Sequence, residues 1–488
     1  MLESFRLSFV VAILVFEFIL RHVVTFALYV FPVKPVLLFI RGIPGRIISA
    51  FTNGSSNDLA VITSAAEILA SVGIAVEEFS VETEDGFHLV LHRLCHSDEN
   101  PKTENVPVVL KEMFSAANSD ICFVKDVAPQ PPNGNLSYSS NVSRESDFDP
   151  SGEPVCLRPP VLMFHGLMMS SEVFICNPHI SLAIFLFYQG YDIWLGNNRG
   201  NKYSWRHRDY KRNDTRYWDF SIDEFSHFDV PASVDKVLAV TRWQSLIYIG
   251  FSNGTAQMFA ALATQKDLNR KLSVFVSLAP ACKLQSLNPD AEHSLALFYP
   301  LICSSRTFFY LIFGKNIILS AADFWKKWLT RKAFAQIIDA CLHVLFSWHP
   351  KHAEVEDKER FYCHIYSTTS VKVVHHWFQM LKSGRFEYYD NNAGLGVPGD
   401  IIVPEYHVSQ IKTPIILLHG GCDKLSNIGW LKRQLKTCHA IEVPHYEHID
   451  FLIAKDLPNQ VFPHILRALE QHPPCRPLSR KMSVSSCE

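Results

Sequence analysis

The sequence lacks any strong excess of charge. Its 46 Lys and Arg face 48 Asp and Glu, for a net charge of −2 at pH 7 over 488 residues. That balance gives no electrostatic case for nucleic acid as a partner. Cysteines of the C-x-x-C type are also missing. The twelve cysteines are scattered, several of them in apolar runs, with neither zinc-site spacing nor a disulfide rhythm. This pattern predicts reduced, buried thiols in a cytosol-facing domain. Several histidine clusters stand out: His343 with His349, Cys363-His364, His375-His376, and His445 with His448. None has a ligand spacing with an obvious fourth partner, so neither a metal nor a cofactor is expected. Finally, no small-x-small cleavage site follows the apolar run from Phe9 to Leu20, which argues against a cleaved signal peptide.

What the sequence does have is a short apolar run, Leu246 to Phe251, feeding into Gly250-Phe251-Ser252-Asn253-Gly254, followed by a small-residue helical pattern. Strand, tight turn and helix in that order describe a nucleophile elbow with Ser252 at its tip. Glycines at 250 and 254 keep Cβ atoms out of a crowded junction. The helix N-terminus points backbone N–H groups at the place where a negative oxygen develops. Alone, Gly-x-Ser-x-Gly also suits an ordinary Gly-rich turn with an exposed serine, so its surroundings decide its meaning.

Along the chain, Phe9 to Phe31 is almost wholly apolar and long enough for a bilayer, which needs about 20 residues. Glu17 and Arg21 would share a helix face there. Residues 1–50 are therefore expected to be a membrane anchor, spanning or re-entrant. Arg6 precedes the stretch and Lys34, Arg41 and Arg46 follow it, which predicts a cytosolic catalytic part. The sequons at Asn53, Asn135, Asn141 and Asn213 would then stay unmodified. An amphipathic helix is expected over 60–72, then an antiparallel hairpin turning at Glu84-Asp85-Gly86. The polar stretch 96–158 reads as a disordered insertion.

Strands at Val161–Phe164, Tyr191–Leu195, Ser273–Leu278, Ile415–His419 and Ala440–Val443 alternate with helical patterns. This predicts an α/β fold with a mostly parallel sheet and helices on both faces, its core formed by 60–95, 159–280 and 405–470. Aromatic-rich helical runs over Leu295–Ile318, Asp323–His343 and Tyr362–Leu381 predict a helical cap at 281–404. Residues 471–488 read as a disordered tail.

A serine nucleophile needs a base, and the base needs an orienting carboxylate. Asp423 follows the strand at Ile415–His419, and the turn after the last strand carries His445 and His448. Asp450 is too close along the chain to orient His448, which leaves Asp423 as the acid. Two N–H groups are candidates for an oxyanion hole: Asn253, next after the serine, and Leu167, in the His165-Gly166 loop. His165 itself reads as a buried, satisfied histidine.

With these residues assembled, the chain resembles the acid lipase family of α/β-hydrolases, which includes lysosomal and gastric lipases and fungal membrane-anchored steryl ester hydrolases. The matching pieces are Ser80 to Arg93, His165-Gly-Leu-Met168, Tyr191 to Asn201, Tyr217 to Phe225, the Ser252 elbow, Gly421-Cys-Asp423 and His448-Ile-Asp-Phe451. Thr369-Ser370-Val371 with His376-Trp377 resembles a cap segment of the family. Coverage runs from about Ile74 to Phe462, apart from the polar insertion. The resemblance implies an α/β-hydrolase fold and hydrolysis of neutral lipid esters through an acyl-serine. Ser252 would be the nucleophile, His448 rather than His445 the base, and Asp423 the carboxylate. The elbow departs from the usual Gly-His-Ser-Gln-Gly at Phe251 and Asn253. The apolar anchor, in place of a secretory signal, is similar to the steryl ester hydrolase branch.

The partners expected are therefore a neutral lipid ester and a membrane or lipid-droplet surface, at the droplet or endoplasmic reticulum, with the plasma membrane as an alternative. Competing expectations are a triacylglycerol lipase, a lipid acyltransferase, and an inactive membrane scaffold built on the same fold.

Overall fold

The computed structural model describes residues 64–96, 157–285, 316–317, 329–391 and 403–476. The N-terminal apolar stretch, nearly all of the polar insertion, part of the 281–404 segment and most of the tail lie outside the described residues. Among the described residues no helix is long and apolar enough to cross a membrane.

The described chain opens with α1 (Ala65–Ala70), shorter than the helix expected over 60–72. Ser64 sets its start: the Ser64 side chain accepts from Glu67 N–H, and the Glu67 carboxylate accepts from Ser64 N–H. β1 (Ile74–Glu82) and β2 (Phe87–His96) then form the antiparallel hairpin. The remaining strands of the sheet are β3 (Pro160–Phe164), β4 (Asp192–Gly196), β5 (Arg206–His207), β6 (Leu246–Phe251), β7 (Leu272–Leu278), β10 (Ile415–Gly420) and β11 (Cys438–Val443). Their order is β1-β2-β4-β3-β6-β7-β10-β11, with β5 beside β2. From β4 to β11 every neighbouring pair is parallel.

β3, β6 and β10 are buried along their whole lengths, as strands covered on both faces must be. Edge strand β11 is only partly buried. Helices α2 (Leu182–Tyr188), α3 (Val230–Thr241) and α4 (Asn253–Thr264) connect the first parallel strands.

Between β7 and β10 the described residues of the inserted segment form α5 (Arg331–Phe346), α6 (Val355–His364) and α7 (Val371–Ser383). The helix expected as one run over Tyr362–Leu381 is broken in two. Ser367, Thr368, Thr369 and Ser370 offer hydroxyls that compete with helical bonding. Ser370 caps α7 by accepting from Lys372 N–H at 3.0 Å. Thr369–Ser370 is strand β9, which pairs with β8 (Asn316–Ile317). After β10 come α8 (Ile428–Gln434) and α9 (Phe462–Gln471). The chain stays tied to the core beyond 471, where the tail was expected to begin. Cys475 O accepts from Gln244 N–H at 3.1 Å, and Cys475 N–H donates to Ser245 Oγ at 2.8 Å.

Candidate active site

Strand β6 ends at Phe251 and helix α4 begins at Asn253, so Ser252 alone makes the turn. Its φ is 53°, a region that residues with a Cβ rarely occupy. The turn is held from both sides. Ser252 N–H donates to Leu278 O on β7 at 3.1 Å, and Thr255 Oγ1 donates to Ser252 O at 2.6 Å. The flanking glycines are there because α4 crosses the sheet too closely for side chains. A Cβ on Gly250 would lie 2.7 Å from Gly254 O, and one on Gly254 would lie 2.3 Å from Phe164 O. This strain raises Ser252 Oγ above the C-terminal edge of the sheet.

Two other strand ends deliver the remaining groups to that edge. Asp423 sits in the turn after β10, where its Oδ1 accepts from Leu425 N–H at 3.0 Å. Its Oδ2 accepts from His448 Nδ1–H at 2.8 Å. His448 Nε2 in turn accepts from the Ser252 hydroxyl at 2.7 Å. The Asp423 and His448 side chains are only 2% and 3% exposed, so water does not compete for either bond. His445, the other histidine of this turn, is exposed. Asp450 does not touch the imidazole bond line; its Oδ2 accepts from Glu447 N–H at 2.8 Å and shapes the turn. A hydroxyl, an imidazole and a carboxylate in this line can activate the oxygen for attack on a carbonyl.

Asn253 is the first residue of α4, so its N–H has no acceptor within the helix. Leu167 lies in the loop after β3, and both residues line a cavity of about 10 Å³, room for about one water. His165 fixes this loop. Its Nδ1–H donates to Gly166 O at 2.8 Å, and its Nε2 accepts from Asn198 N–H at 3.3 Å. Burial pushes His165 down to about 4, which keeps the ring neutral and suited to those two roles.

Sequence reasoning missed the groups behind the loop. Asn201 Nδ2 donates to Asn197 Oδ1 at 2.8 Å, Ser171 N–H donates to the same oxygen at 3.0 Å, and Asn198 Nδ2 donates to Gln257 Oε1 at 2.8 Å. A run of amide side chains directly after a strand end was the available signal. The cap reaches the site as well. Ser367 N–H donates to Met168 O at 2.7 Å, and Trp377 Nε1–H on α7 donates to Asn253 Oδ1 at 2.9 Å.

The other histidine clusters have structural partners: His364 with Glu172, His375 with Tyr389, and His376 with Glu387 O. Among the described residues no group of three or more His, Cys, Asp or Glu could hold a metal ion.

A serine, a histidine and a carboxylate in line at the C-terminal edge of a mostly parallel sheet define the class of α/β-hydrolase-fold ester hydrolases. The model of the alpha/beta hydrolase fold matches residues 159–302. That of the partial alpha/beta-hydrolase lipase region matches residues 65–111. A Schizosaccharomyces pombe protein named a probable lipase is 33% identical over 434 residues, covering 87% of this chain and 84% of its own. A second from the same yeast, also named a probable lipase, is 38% identical, covering 65% of this chain and 68% of its own. Human gastric triacylglycerol lipase is 30% identical, covering 64% of this chain and 80% of its own. The chain belongs to the acid lipase family of α/β-hydrolases, and it is a carboxylic ester hydrolase.

Proposed function

We propose that this protein hydrolyses neutral lipid esters through an acyl-serine intermediate, with steryl esters as its principal substrate. The observation that carries the mechanism is the continuous bond line Ser252–His448–Asp423, at 2.7 and 2.8 Å. Ser252 Oγ attacks the ester carbonyl while its proton passes to His448 Nε2. Asp423 holds the ring with Nδ1 protonated and opposes the charge that forms. The carbonyl oxygen, now negative, takes hydrogen bonds from Leu167 N–H and Asn253 N–H. His448 then protonates the departing sterol oxygen, leaving the fatty acyl group on Ser252. A water, deprotonated by His448, releases the fatty acid and restores the hydroxyl.

The steryl reading draws on the N-terminal apolar stretch, which is similar to that of the fungal membrane-anchored branch. Such esters are nearly insoluble, so an enzyme anchored at a droplet or membrane surface meets them where they are stored. The similarity to gastric triacylglycerol lipase favours a second reading, in which triacylglycerol is the main substrate.

The test is fatty acid release from steryl oleate and from triolein by detergent-solubilised protein, beside Ser252→Ala. Strong steryl ester turnover that vanishes in the variant is the expected result. Preference for triolein would keep the mechanism and replace the substrate. No release from either by a folded protein would overturn the neutral-lipid reading in favour of an acyltransferase or an inactive scaffold.

A further inference from the structure

Helix α5 ends at Phe346, and Ser347 closes it in the left-handed region with a φ of 59°. The next residue, Trp348, is buried and lies against the site. Its ring stacks on that of His448, with centroids 4.8 Å apart and planes within 9°. Phe346 also stacks on Trp348, at 4.4 Å and 19°. Phe251, from the elbow, lies 5.3 Å from the His448 ring and is tilted against it. The stack is pinned to the histidine's own turn, because His349 N–H donates to the Glu447 carboxylate. Trp348 is thus held by the residue after it to the residue before His448.

We infer that Trp348 is a positioning residue for His448, fixing the imidazole plane and stabilising through its π face the imidazolium that forms as Ser252 attacks. This rests on the catalytic reading above. When the Ser252 proton reaches Nε2 the ring becomes a cation whose two N–H groups point in its own plane. A parallel indole face then meets the positive ring where its quadrupole is most negative, in a site that excludes water. No hydrogen bond can come from that direction, so Asp423 and Trp348 act on different parts of the same cation.

The charged and titratable groups around His448 can be named by element. The β10 turn supplies Asp423, the end of β6 the neutral Phe251, and the turn after it Ser252. The histidine's own turn carries His445, Glu447 and Asp450. From the cap come His349, 3.6 Å from Glu447, and His343, whose ring lies 4.3 Å from that of His349 and is tilted against it. Substituting Trp348 alone replaces none of these groups.

The test uses full-length detergent-solubilised protein and a short-chain p-nitrophenyl ester, over a full pH range, with Trp348→Leu and Trp348→Phe. The leucine variant should lose roughly 3- to 30-fold in kcat with little change in KM. Its acid limb in kcat/KM should move to lower pH by about half a unit, because the protonated ring has lost a stabilising face. The phenylalanine variant should recover most of both.

A second measurement removes dependence on how the leucine variant folds. Fluorinated tryptophan, which keeps the shape but weakens the π face, should move the acid limb in the natural sequence and not in Trp348→Phe. Unchanged profiles in both experiments, or equal losses in Leu and Phe with an unmoved limb, would overturn the inference. Fluorophosphonate labelling separates the two readings. Labelling of wild type that is lost in Ser252→Ala keeps the catalytic reading whatever Trp348 does. Absence of labelling in wild type would remove both.

Discussion

Asp423 and Asp450 both lie near the His448 turn, and their surroundings give them different work. Asp423 is fixed on one oxygen by Leu425 N–H and gives the other to His448 Nδ1–H. Replacing it with Asn should drop kcat by about four orders of magnitude while leaving the fold intact, because the imidazole loses its correct tautomer. Asp450 accepts from Glu447 N–H, but its Oδ1 has no hydrogen-bond partner among the described residues. Burial pushes its carboxyl up from 3.8 to about 6. In the unfolded chain the group ionises near 3.8 and in the folded chain near 6, so stability is lost as pH rises through that window. Asp450→Asn keeps an acceptor for Glu447 N–H and removes the buried charge. It should raise stability at pH 7 by up to about 2 kcal/mol and leave kcat within a few-fold. Thermal melts and initial rates on the two variants, side by side, check the division. Equal losses of activity would mean that both carboxylates serve the histidine.

Among the elements, the join between cap and core turns on Glu172, buried in the loop after β3. Its carboxylate accepts from His364 Nδ1–H on α6 at 2.7 Å, pairs with Lys202 Nζ at 2.5 Å and accepts from Tyr203 O–H. Burial pushes the group up, but His364, Lys202 and Tyr203 outweigh it and hold the carboxyl down at about 2, against 4.5 when free. A lowered carboxyl stabilises the fold fully above 4.5 and loses that contribution as pH falls toward 2. Glu172→Gln should therefore cost roughly 3 kcal/mol near pH 7, and the gap to wild type should narrow below about pH 4.5 and close only near pH 2. Melting curves across that range decide it; a constant gap would mean the effect is packing rather than charge.

At this junction the local sequence no longer specifies the elements. Strands such as Leu246–Phe251 and Ile415–Gly420 were legible because burial on both faces leaves an unbroken apolar run. The break at 365–370 was not. The four hydroxyl residues weaken a helix there, but tertiary bonds fix the break: Ser367 N–H donates to Met168 O, and Thr368 Oγ1 donates to Gly200 O. Trp348 was hidden for a similar reason, since in an aromatic-rich segment nothing local separates a residue stacked on His448 from one in the core.

At the scale of the whole molecule, residues 252, 423 and 448 were legible because each follows a strand end, and a parallel sheet gathers its strand ends along one edge. What gathers the amides, the cap and Trp348 around them is packing between distant segments, which no local pattern carries. The relation of the catalytic unit to a membrane rests on a different kind of signal, the run Phe9–Phe31 outside the described residues. Its length suits a bilayer, and Lys34, Arg41 and Arg46 outnumber Arg6 across it. If that stretch anchors the protein, removing residues 2–50 should release it from the membrane pellet under alkaline carbonate extraction. Because Ser252, Asp423 and His448 all lie beyond residue 64, the truncated chain should still react with a fluorophosphonate at Ser252 and turn over a water-soluble ester within a few-fold of the full chain. Steryl oleate presented in droplets should instead be hydrolysed at least ~10-fold more slowly, since the enzyme would have to find an insoluble substrate by collision. Asn213, exposed in its loop, reports the side of the membrane. It should stay unglycosylated if the catalytic unit faces the cytosol, whereas a glycan on it would reverse the predicted orientation.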